Sequence, residues 1–426
     1  MKRGWRAWQV FLWNPVSPLG LSVFRTVFAL LVIWNILLIL PDLTVFYSEK
    51  GVLPFEVSQR LLGAPRLNLF RWLPRTDGVI YFFAFSLVAS AFSLMIGLFT
   101  RVSAFFVFLL LVSFDHRNIF ILNSGDTLMR LMAFYLIFAP SGAALSVDRL
   151  WAIFQGREKV DVVKRVPAIM LRVMQFQLSV LYFSAFVWKV QGKGWVSGEA
   201  VYFTTRLEDF LRFPMPDFAR SLWFSRLASW GTLVVEGAMG TLVWVPRLRP
   251  YVLLAGLSLH LGLEYSMTIP IFQLVIMSCY VLFVDGEAIE KVLSGWRLPP
   301  GRLVVFYDGD CGFCVRVVNV LRAIDFRGVL IWKNARLSSV AKSFSDLDVA
   351  RAERELLVWS PQGGWNGGWY GGWYGGYDAF RVIARELLLL RCVWPFLYIP
   401  GVPWLGRRAY AWVAEHRQEV SRFLLG

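Results

Sequence analysis

The sequence predicts an α-helical membrane bundle of about eight transmembrane helices, followed by a smaller α/β domain. Apolar residues make up 57% of the 426-residue chain and charged residues only 17%, against roughly 45–50% and 25% in soluble domains. Long apolar runs occupy the chain up to about residue 285. After residue 298, short β-rich runs alternate with segments of helical periodicity, which indicates a second domain.

Eight apolar segments are candidate membrane spans. The first is long enough to cross about 30 Å of hydrocarbon, while several others fall short of the roughly 20 residues that a span needs. The shorter ones are candidates for re-entrant or buried segments. The abundant tryptophans and phenylalanines are typical of bilayer-interface belts and lipid-facing helices. The eight segments are 21–40, 79–99, 102–114, 127–140, 170–188, 228–245, 251–265 and 268–284.

The formal charge of +15 lies in the gaps between the apolar runs rather than on a polar domain. Lysine and arginine in such loops orient helices and attract anionic lipid, so we expect a lipid bilayer as partner and no nucleic acid. The basic N-terminal residues and the basic loops after the fourth and sixth segments predict a cytoplasmic N-terminus. With an even number of spans, the second domain is then cytoplasmic. A multi-pass location, in a bacterial inner membrane, is expected.

The cluster Leu298-Pro299-Pro300-Gly301 predicts the domain boundary. We expect a transmembrane domain over 1–297 and a second domain over 298–426. The order of elements in the second domain is typical of a thioredoxin-like α/β fold. The predicted strands are 303–308, 329–334 and 356–360, and the predicted helices are 315–326, 348–355, 378–391 and 404–424.

A tandem repeat, GGWNGGWYGGWYGG (363–376), follows the last predicted strand. Glycines supply positive φ and aromatic residues pair across strands, so the repeat predicts an expanded β-hairpin turn. A surface for a carbohydrate or aromatic ligand is the alternative.

Cys311 and Cys314 form the only close pair among the four cysteines. Cys311 is expected near the N-terminus of the next helix, where free N–H groups and the helix dipole stabilise a thiolate. Cys314 would follow as the resolving thiol. This arrangement predicts dithiol–disulfide exchange, which requires no cofactor or metal, with a thiol or disulfide protein partner. Half of a zinc site and an inert pair are the alternatives. Asp308 and Asp310 are candidates for proton transfer or for turn formation.

The segment VVFYDGDCGFCVRVVNVLRAID resembles the DCC family of thiol–disulfide oxidoreductases, whose signature is matched by Tyr307, Asp308, Gly309, Cys311 and Cys314. YDAFRVIARELL (377–388) and IPGVPWLGRRAYAWVAEHR (399–417) resemble the closing helices of that family. The resemblance covers about 125 residues. It implies a redox-active cysteine pair. The Gly-Trp-Tyr expansion departs from the family, which has a short turn there.

Three segments of the membrane part resemble the HTTM domain, a module shared with vitamin K-dependent γ-carboxylase: 123–140, 181–203 and 260–283. The resemblance implies a vitamin K-like quinone as a candidate ligand. It also implies Lys189 as a base toward the reduced quinone and His260 as a second functional residue. A lysine marking the bilayer edge and a hydrogen-bonded packing histidine are the alternatives. Gly125 stands where the carboxylase has a catalytic histidine, which argues against full carboxylase chemistry.

Together these observations predict a membrane-bound thiol–disulfide oxidoreductase that uses Cys311 and Cys314. Its electron partner would be a protein disulfide or a small quinone held by the bundle. One rival is a carboxylase-like or quinol-dependent membrane enzyme that the redox domain serves. Another is a non-catalytic membrane scaffold.

Within the bundle, Asp126 and Arg130 are four residues apart on one helix and are expected to pair.

Overall fold

The computed structural model describes residues 2–61, 66–295, 303–360 and 372–425. The chain consists of two compact units. The first comprises Met1–Asp148 and Lys164–Gly286, and the second comprises Arg149–Val163 and Glu287–Gly426. The predicted boundary cluster at 298–301 lies outside the described residues.

The first unit is helical, and each of the eight predicted apolar segments lies mainly in helix. Two short strands, β1 (Pro15–Val16) and β2 (Val166–Pro167), pair antiparallel. The α-helices up to residue 295 are α1 (Lys2–Trp13), α2 (Leu19–Ile39), α3 (Leu43–Tyr47), α4 (Phe55–Leu61), α5 (Asp77–Ile96), α6 (Thr100–Arg117), α7 (Ser124–Phe138), α8 (Val147–Phe154), α9 (Ile169–Val190), α10 (Lys193–Val196), α11 (Ala200–Thr204), α12 (Leu222–Gly240), α13 (Arg249–Ser266), α14 (Phe272–Cys279) and α15 (Gly286–Gly295). Short 3₁₀ helices cover Leu40–Asp42, Leu69–Trp72, Glu208–Phe210, Asp217–Arg220, Leu242–Trp244 and Tyr280–Phe283.

Among the described residues, three helices are long and apolar enough to cross a membrane: Leu19–Tyr47, Asp77–Ile96 and Ile169–Val190. A fourth span results only if Phe272–Phe283 and Gly286–Leu293, which are bent by 97° at their junction, are taken together. The predicted count of eight spans is therefore not confirmed. The other helices differ from a simple span in length, as in α7 with 15 residues, in charge, as in α6 with arginines at both ends, or in mean hydropathy.

The helices of the first unit carry apolar side chains on both their inner and their outer surfaces. Inside the unit, Phe24, Phe28 and Met132 have no exposed surface. On the outside, Phe85 and Trp188 are 72% and 74% exposed. An exposed apolar surface of this kind is expected where helices face lipid instead of water.

The charged residues Asp126 and Arg130 of α7 each have a polar partner, but not the predicted one. Arg130 donates to Asp115 Oδ2 at 3.1 Å, so the predicted Asp126–Arg130 pair is wrong. Asp126 Oδ2 accepts instead from the backbone N–H of Asn123 at 2.7 Å. The reason is positional, because Asp126 is the third residue of α7 and completes a capping box with Asn123.

The second unit contains a four-stranded sheet in the order β4 (Leu330–Asn334), β3 (Leu303–Tyr307), β5 (Leu357–Ser360) and β6 (Gly372–Gly375). β3 pairs parallel with β4 and antiparallel with β5, and β5 pairs antiparallel with β6. The predicted helix over 404–424 is divided at His416, and the helix Ser338–Ser343 was not predicted. The elements are β3 (Leu303–Tyr307), α16 (Gly312–Ile324), β4 (Leu330–Asn334), α17 (Ser338–Ser343), α18 (Val349–Ala352), β5 (Leu357–Ser360), β6 (Gly372–Gly375), α19 (Gly376–Glu386), α20 (Val402–Glu415) and α21 (Arg417–Leu425), with 3₁₀ turns at Leu388–Leu390 and Trp394–Tyr398.

Apolar residues on both faces of β3 bury this strand between two layers. Val305 packs in one cluster with Val318 of α16 and Ile383 of α19. Phe306 points to the opposite face and packs with Val340 of α17. This alternation follows from the two-residue period of a strand. The strand thereby fixes the position of the turn that follows Tyr307.

The glycine-aromatic repeat is described only from Gly372 onward, because residues 361–371 lie outside the described residues. Gly372 pairs with Ser360 and Gly375 pairs with Leu357, so β5 and β6 form an antiparallel pair. Trp373 lies opposite Trp359 in this register. The described end of the repeat is therefore strand, as a hairpin requires.

Candidate active site

The two close cysteines lie where β3 leads into α16. Asp308, Gly309 and Asp310 form the turn between the strand and the helix. Gly309 donates its N–H to Asn334 Oδ1 at 3.2 Å, and the Asn334 side chain occupies the space that a Cβ at Gly309 would need. The turn is thus anchored to the end of β4, and a side chain at Gly309 would displace the Asn334 amide that anchors it.

Cys311 is the N-cap residue of α16, and its sulfur accepts the Cys314 N–H at 3.2 Å. A disulfide joins the two cysteines, whose Cα atoms are 5.2 Å apart. Both residues are half-buried. After reduction, the N–H donor and the helix N-terminus favour a thiolate at Cys311.

Asp308 is buried at the base of this turn, with 4% of its surface exposed. Its Oδ1 accepts from Arg336 Nε at 2.6 Å and from the N–H of Asp310 at 3.0 Å. Burial alone would raise the pKa of the Asp308 carboxyl, but these hydrogen bonds and the charges of Arg336 and Arg417 hold it below its usual value. Asp308 is therefore an ionised acceptor that shapes the turn.

Arg417, the first residue of α21, brings a second cation to the site. Its Nη1 lies 3.9 Å from Cys314 Sγ and 3.8 Å from Asp308 Oδ2. The same nitrogen donates to the carbonyl oxygen of Glu353 at 2.9 Å. A guanidinium in this position favours negative charge on the Cys314 sulfur.

A largely apolar pocket of about 450 Å³ opens beside Cys314. Burial raises the pKa of the Tyr410 hydroxyl in its wall, so this phenol stays neutral at physiological pH. The pocket can admit an apolar or aromatic group to the Cys314 side of the redox pair. Its walls include Tyr307, Phe313, Val317, Phe380, Tyr410 and Arg417.

The zinc alternative requires further ligands near the cysteine pair. In the part of the chain that the structure describes, no group of three or more His, Cys, Asp or Glu side chains is arranged to hold a metal ion. Cys392 is exposed, and its Sγ lies 3.4 Å from the carbonyl oxygen of Leu389. His416 lies against Trp412.

Lys189 lies in the last turn of α9 and forms an ion pair. Its Nζ is 2.6 Å from Oε1 of Glu236, a residue of α12 that is 7% exposed. The ammonium also lies 5.1 Å from the centre of the Trp195 ring. Among the described atoms, Glu236 Oε2 has no hydrogen-bond partner. Lys189 thus neutralises a buried acid.

His260 is buried in a separate hydrogen-bonded chain. Its Nε2 lies 2.5 Å from the Tyr182 hydroxyl, and its Nδ1 lies 2.5 Å from Gln273 Oε1. The Tyr182 hydroxyl is in turn 2.5 Å from that of Tyr280. Within the described residues, no hydrogen bond joins Lys189 to His260.

Gly125 lies in the first turn of α7, where a side chain does not fit. An added Cβ would come within 2.9 Å of the Phe272 Cα, which is closer than carbon atoms approach without a backbone shift. A histidine at this position is therefore incompatible with the packing of α7 against α14.

Three charged partners in these sites were not singled out from the sequence: Arg336, Arg417 and Glu236. A signal existed for two of them. Arg417 ends the 399–417 segment that resembles the DCC family, and Glu236 is the one acid in the predicted span 228–245. An acid inside a span is by itself a functional candidate. No local sequence pattern marks Arg336. It lies just after β4, and the pairing of β4 with β3 brings it to the turn.

Two family models match the chain in succession. The HTTM domain model matches residues 13–287, and the model of the DCC1-like thiol-disulfide oxidoreductase matches residues 305–423. No solved structure matches the chain. Both family resemblances are thus confirmed. The chain belongs to the HTTM-domain family and carries a DCC1-like thiol-disulfide oxidoreductase domain after its membrane helices.

Proposed function

We propose that this chain is a membrane-bound thiol–disulfide oxidoreductase whose redox centre is the Cys311–Cys314 pair. The observation that carries the proposal is the disulfide between the N-cap of α16 and a residue one helical turn later. The sheet order β4-β3-β5-β6 with its single parallel pair supports a thioredoxin-like arrangement around this centre.

In the reduced enzyme, the Cys311 thiolate attacks a substrate disulfide. A bond forms between Cys311 and one substrate sulfur as the substrate S–S bond breaks and the other sulfur leaves as a thiolate. The Cys314 thiolate then attacks Cys311, which forms the internal disulfide and releases the second substrate sulfur. Two electrons pass from the cysteine pair to the substrate. Run in reverse, the same steps oxidise a substrate dithiol.

The charged groups around the pair support this division of roles. The N–H of Cys314 favours the attacking thiolate at Cys311, while Arg417 favours the Cys314 thiolate that must form in the second step. Asp308 acts as a positioning residue, because its carboxylate holds Arg336 and lies near Arg417. The partner that this centre would accept is a protein with a thiol or a disulfide. An apolar side chain next to the partner's reacting sulfur would enter the apolar pocket beside Cys314.

A quinone of the vitamin K type is the proposed second electron partner, bound in the bundle. An apolar pocket of about 560 Å³ between α12 and α13 supports it. Val235 and Leu259, the chain neighbours of Glu236 and His260, line this pocket and would bind the quinone ring. A quinone, when bound, can accept two electrons and two protons. Lys189, Glu236 and His260 do not themselves line this pocket. We propose that the Lys189–Glu236 pair, in which Glu236 Oε2 has no hydrogen-bond partner among the described atoms, moves a proton beside it.

Trapping the mixed disulfide tests the thiol–disulfide proposal. Cys314→Ser should accumulate a covalent adduct with a substrate disulfide, because attack proceeds and release fails. Cys311→Ser should accumulate none. The readout is a non-reducing gel with mass spectrometry of the full-length protein in lipid. An adduct on Cys314 in the Cys311→Ser protein, with none in Cys314→Ser, would reverse the assignment. A lack of adducts in both variants would reject the redox role.

A further inference from the structure

The segment 388–412 of the second unit exposes many large apolar side chains. Eight of them are between 43% and 61% exposed. Exposed apolar patches of this extent mark sites of interaction with proteins or membranes. The eight are Leu388, Leu389, Val393, Phe396, Ile399, Trp404, Leu405 and Trp412. We refer to them and the arginines between them as the 388–412 surface.

The two halves of this surface are held together by direct contacts. On α20, Trp404, Arg408 and Trp412 follow one another at intervals of four residues, so they share one helix face. The Arg408 guanidinium lies 4.0 Å from the centre of the Trp404 ring. Tyr377 donates its hydroxyl to the carbonyl oxygen of Leu397 at 3.2 Å, and its ring fills the space beside Gly406. Tyr377 thereby links the 3₁₀ turn before α20 to α20 itself.

The charge of this surface has one sign. Residues 388–412 contain Arg391, Arg407 and Arg408 and no acidic residue. All three arginines are exposed. Arg407 also forms an ion pair with Asp378 at 3.1 Å. Arg391 and Arg408 have no carboxylate partner within the part of the chain that the structure describes. Tryptophan, leucine and arginine on one face are the composition of helices that lie in a membrane interface.

We propose that the 388–412 surface docks the second unit onto an anionic lipid bilayer. Trp404, Leu405 and Phe396 would enter the head-group region, and Arg391 and Arg408 would contact lipid phosphates. Two observations favour lipid as the occupant. The basic charge complements anionic lipid and would repel the same surface of a second copy. The first unit also carries the membrane helices, so covalent linkage keeps a bilayer at high effective concentration.

The chain contains its own reporter for this contact. Cys392 is exposed within the 388–412 surface, Cys279 is buried, and Cys311 and Cys314 are joined as a disulfide. In the oxidised full-length protein, an environment-sensitive NBD fluorophore can therefore be placed on Cys392. The protein is reconstituted into phosphatidylcholine vesicles with or without one-third phosphatidylglycerol. Nitroxide-labelled lipids then report the depth of the probe.

We expect blue-shifted emission and quenching by head-group nitroxides in the phosphatidylglycerol vesicles, and both should weaken as salt is added. The double variants Trp404→Gln/Leu405→Gln and Arg391→Gln/Arg408→Gln should each reduce the quenching several-fold. Leu337→Gln and Lys342→Gln, which change exposed residues elsewhere in the same unit, should leave it unchanged. These residues are exposed, and an unchanged midpoint for the reduction of the Cys311–Cys314 disulfide checks the fold.

Quenching that is absent from both kinds of vesicle would overturn the proposal. Equal quenching in both would overturn the role of the arginines in selecting anionic lipid. A blue shift that persists in detergent and grows with protein concentration would identify a second copy as the occupant. A blue shift in detergent that is independent of concentration would identify another surface of the same chain. Either of these last results contradicts docking on lipid.

Discussion

The Arg417 guanidinium lies 3.9 Å from the Cys314 sulfur and 3.8 Å from the Asp308 carboxylate. The two cysteines therefore have different electrostatic surroundings. Cys311 has a backbone N–H donor and the start of α16, whereas Cys314 has a cation and the apolar pocket. This asymmetry is what a two-step exchange needs, since each thiolate must form at its own stage.

Replacing Arg417 should slow the second step. In Arg417→Gln, we expect the mixed disulfide to persist about tenfold longer at neutral pH, because one pKa unit changes the thiolate fraction by about that factor. Its decay should also shift to higher pH, a change that a purely structural role would not cause. Arg417→Lys should restore part of the rate. Rapid acid quenching and mass spectrometry measure the lifetime.

The control for Arg417 is Arg422→Gln, an exposed arginine farther along α21. It should leave the lifetime of the mixed disulfide unchanged. If Arg417→Gln decays at the wild-type rate and with the wild-type pH profile, Arg417 does not assist the resolving thiol.

Asp308 should contribute to stability in a pH-dependent way. Its pKa in the folded protein lies below its usual value, which is also the value expected in the unfolded chain, about 3.9. The stabilisation is thus present above about pH 4 and is lost as the pH falls through the folded value. Asp308→Asn should cost about 1–3 kcal/mol at neutral pH and flatten this acid dependence.

Hydrogen exchange of β3 in the full-length protein across pH measures the effect of Asp308. The matched control is Asp310→Asn, because Asp310 is exposed and lies 3.3 Å from the same Arg336. Its cost should stay below about 1 kcal/mol, as for other exposed pairs. An Asp308→Asn protein with wild-type acid unfolding but no thiol exchange would instead indicate direct proton transfer.

Lys189 should matter to quinone-linked activity beyond its ion pair. Lys189→Ala should abolish quinone-dependent thiol oxidation, and it should also lower thermal stability because Glu236 loses its partner. Lys189→Arg keeps the charge but does not deprotonate, so activity should remain lost while stability returns. Lys193→Arg, at an exposed lysine nearby, serves as the control. Full activity in Lys189→Arg would show that Lys189 has only a structural role, as the ion-pair partner of Glu236.

Topology is testable in a Cys392→Ser background. With a cytoplasmic N-terminus, new cysteines at Val52 and Ser197, both exposed, should react with an impermeant maleimide in intact cells. Native Cys392 in the wild-type chain should react only after lysis if the span count is even. Reversed labelling at Val52 and Ser197 would show that the bundle has the opposite orientation.

The sequence predicted most elements because their signals are local. The strand over 303–308, the helix after Cys311 and the eight apolar segments are each defined by a few adjacent residues. The charged partners of the site are not local. Arg336 follows β4 and Arg417 begins α21, and only the packing of these elements brings both to Asp308. The Asp126–Arg130 prediction failed because spacing on one helix ignores competing partners, here Asn123 and Asp115.

The span count shows another limit of local signals. The helices α6, α7, α12 and α13 are rich in apolar residues, but each falls short of a simple membrane span in length, in mean hydropathy or in its number of charged residues. Packing inside a bundle shields such charges, as for Glu236 beside Lys189. Hydropathy along the chain does not contain that information.

Redox titration of the full-length protein tests the central claim most directly. The protein is equilibrated in thiol–disulfide buffers of graded potential, and free thiols are then counted by a maleimide mass shift. We predict that Cys311 and Cys314 become accessible together in one two-electron transition, with about 30 mV per tenfold change in the ratio of reduced to oxidised protein. Thiols that appear in separate steps, or that are free at every potential with bound zinc, would contradict a redox centre at Cys311 and Cys314.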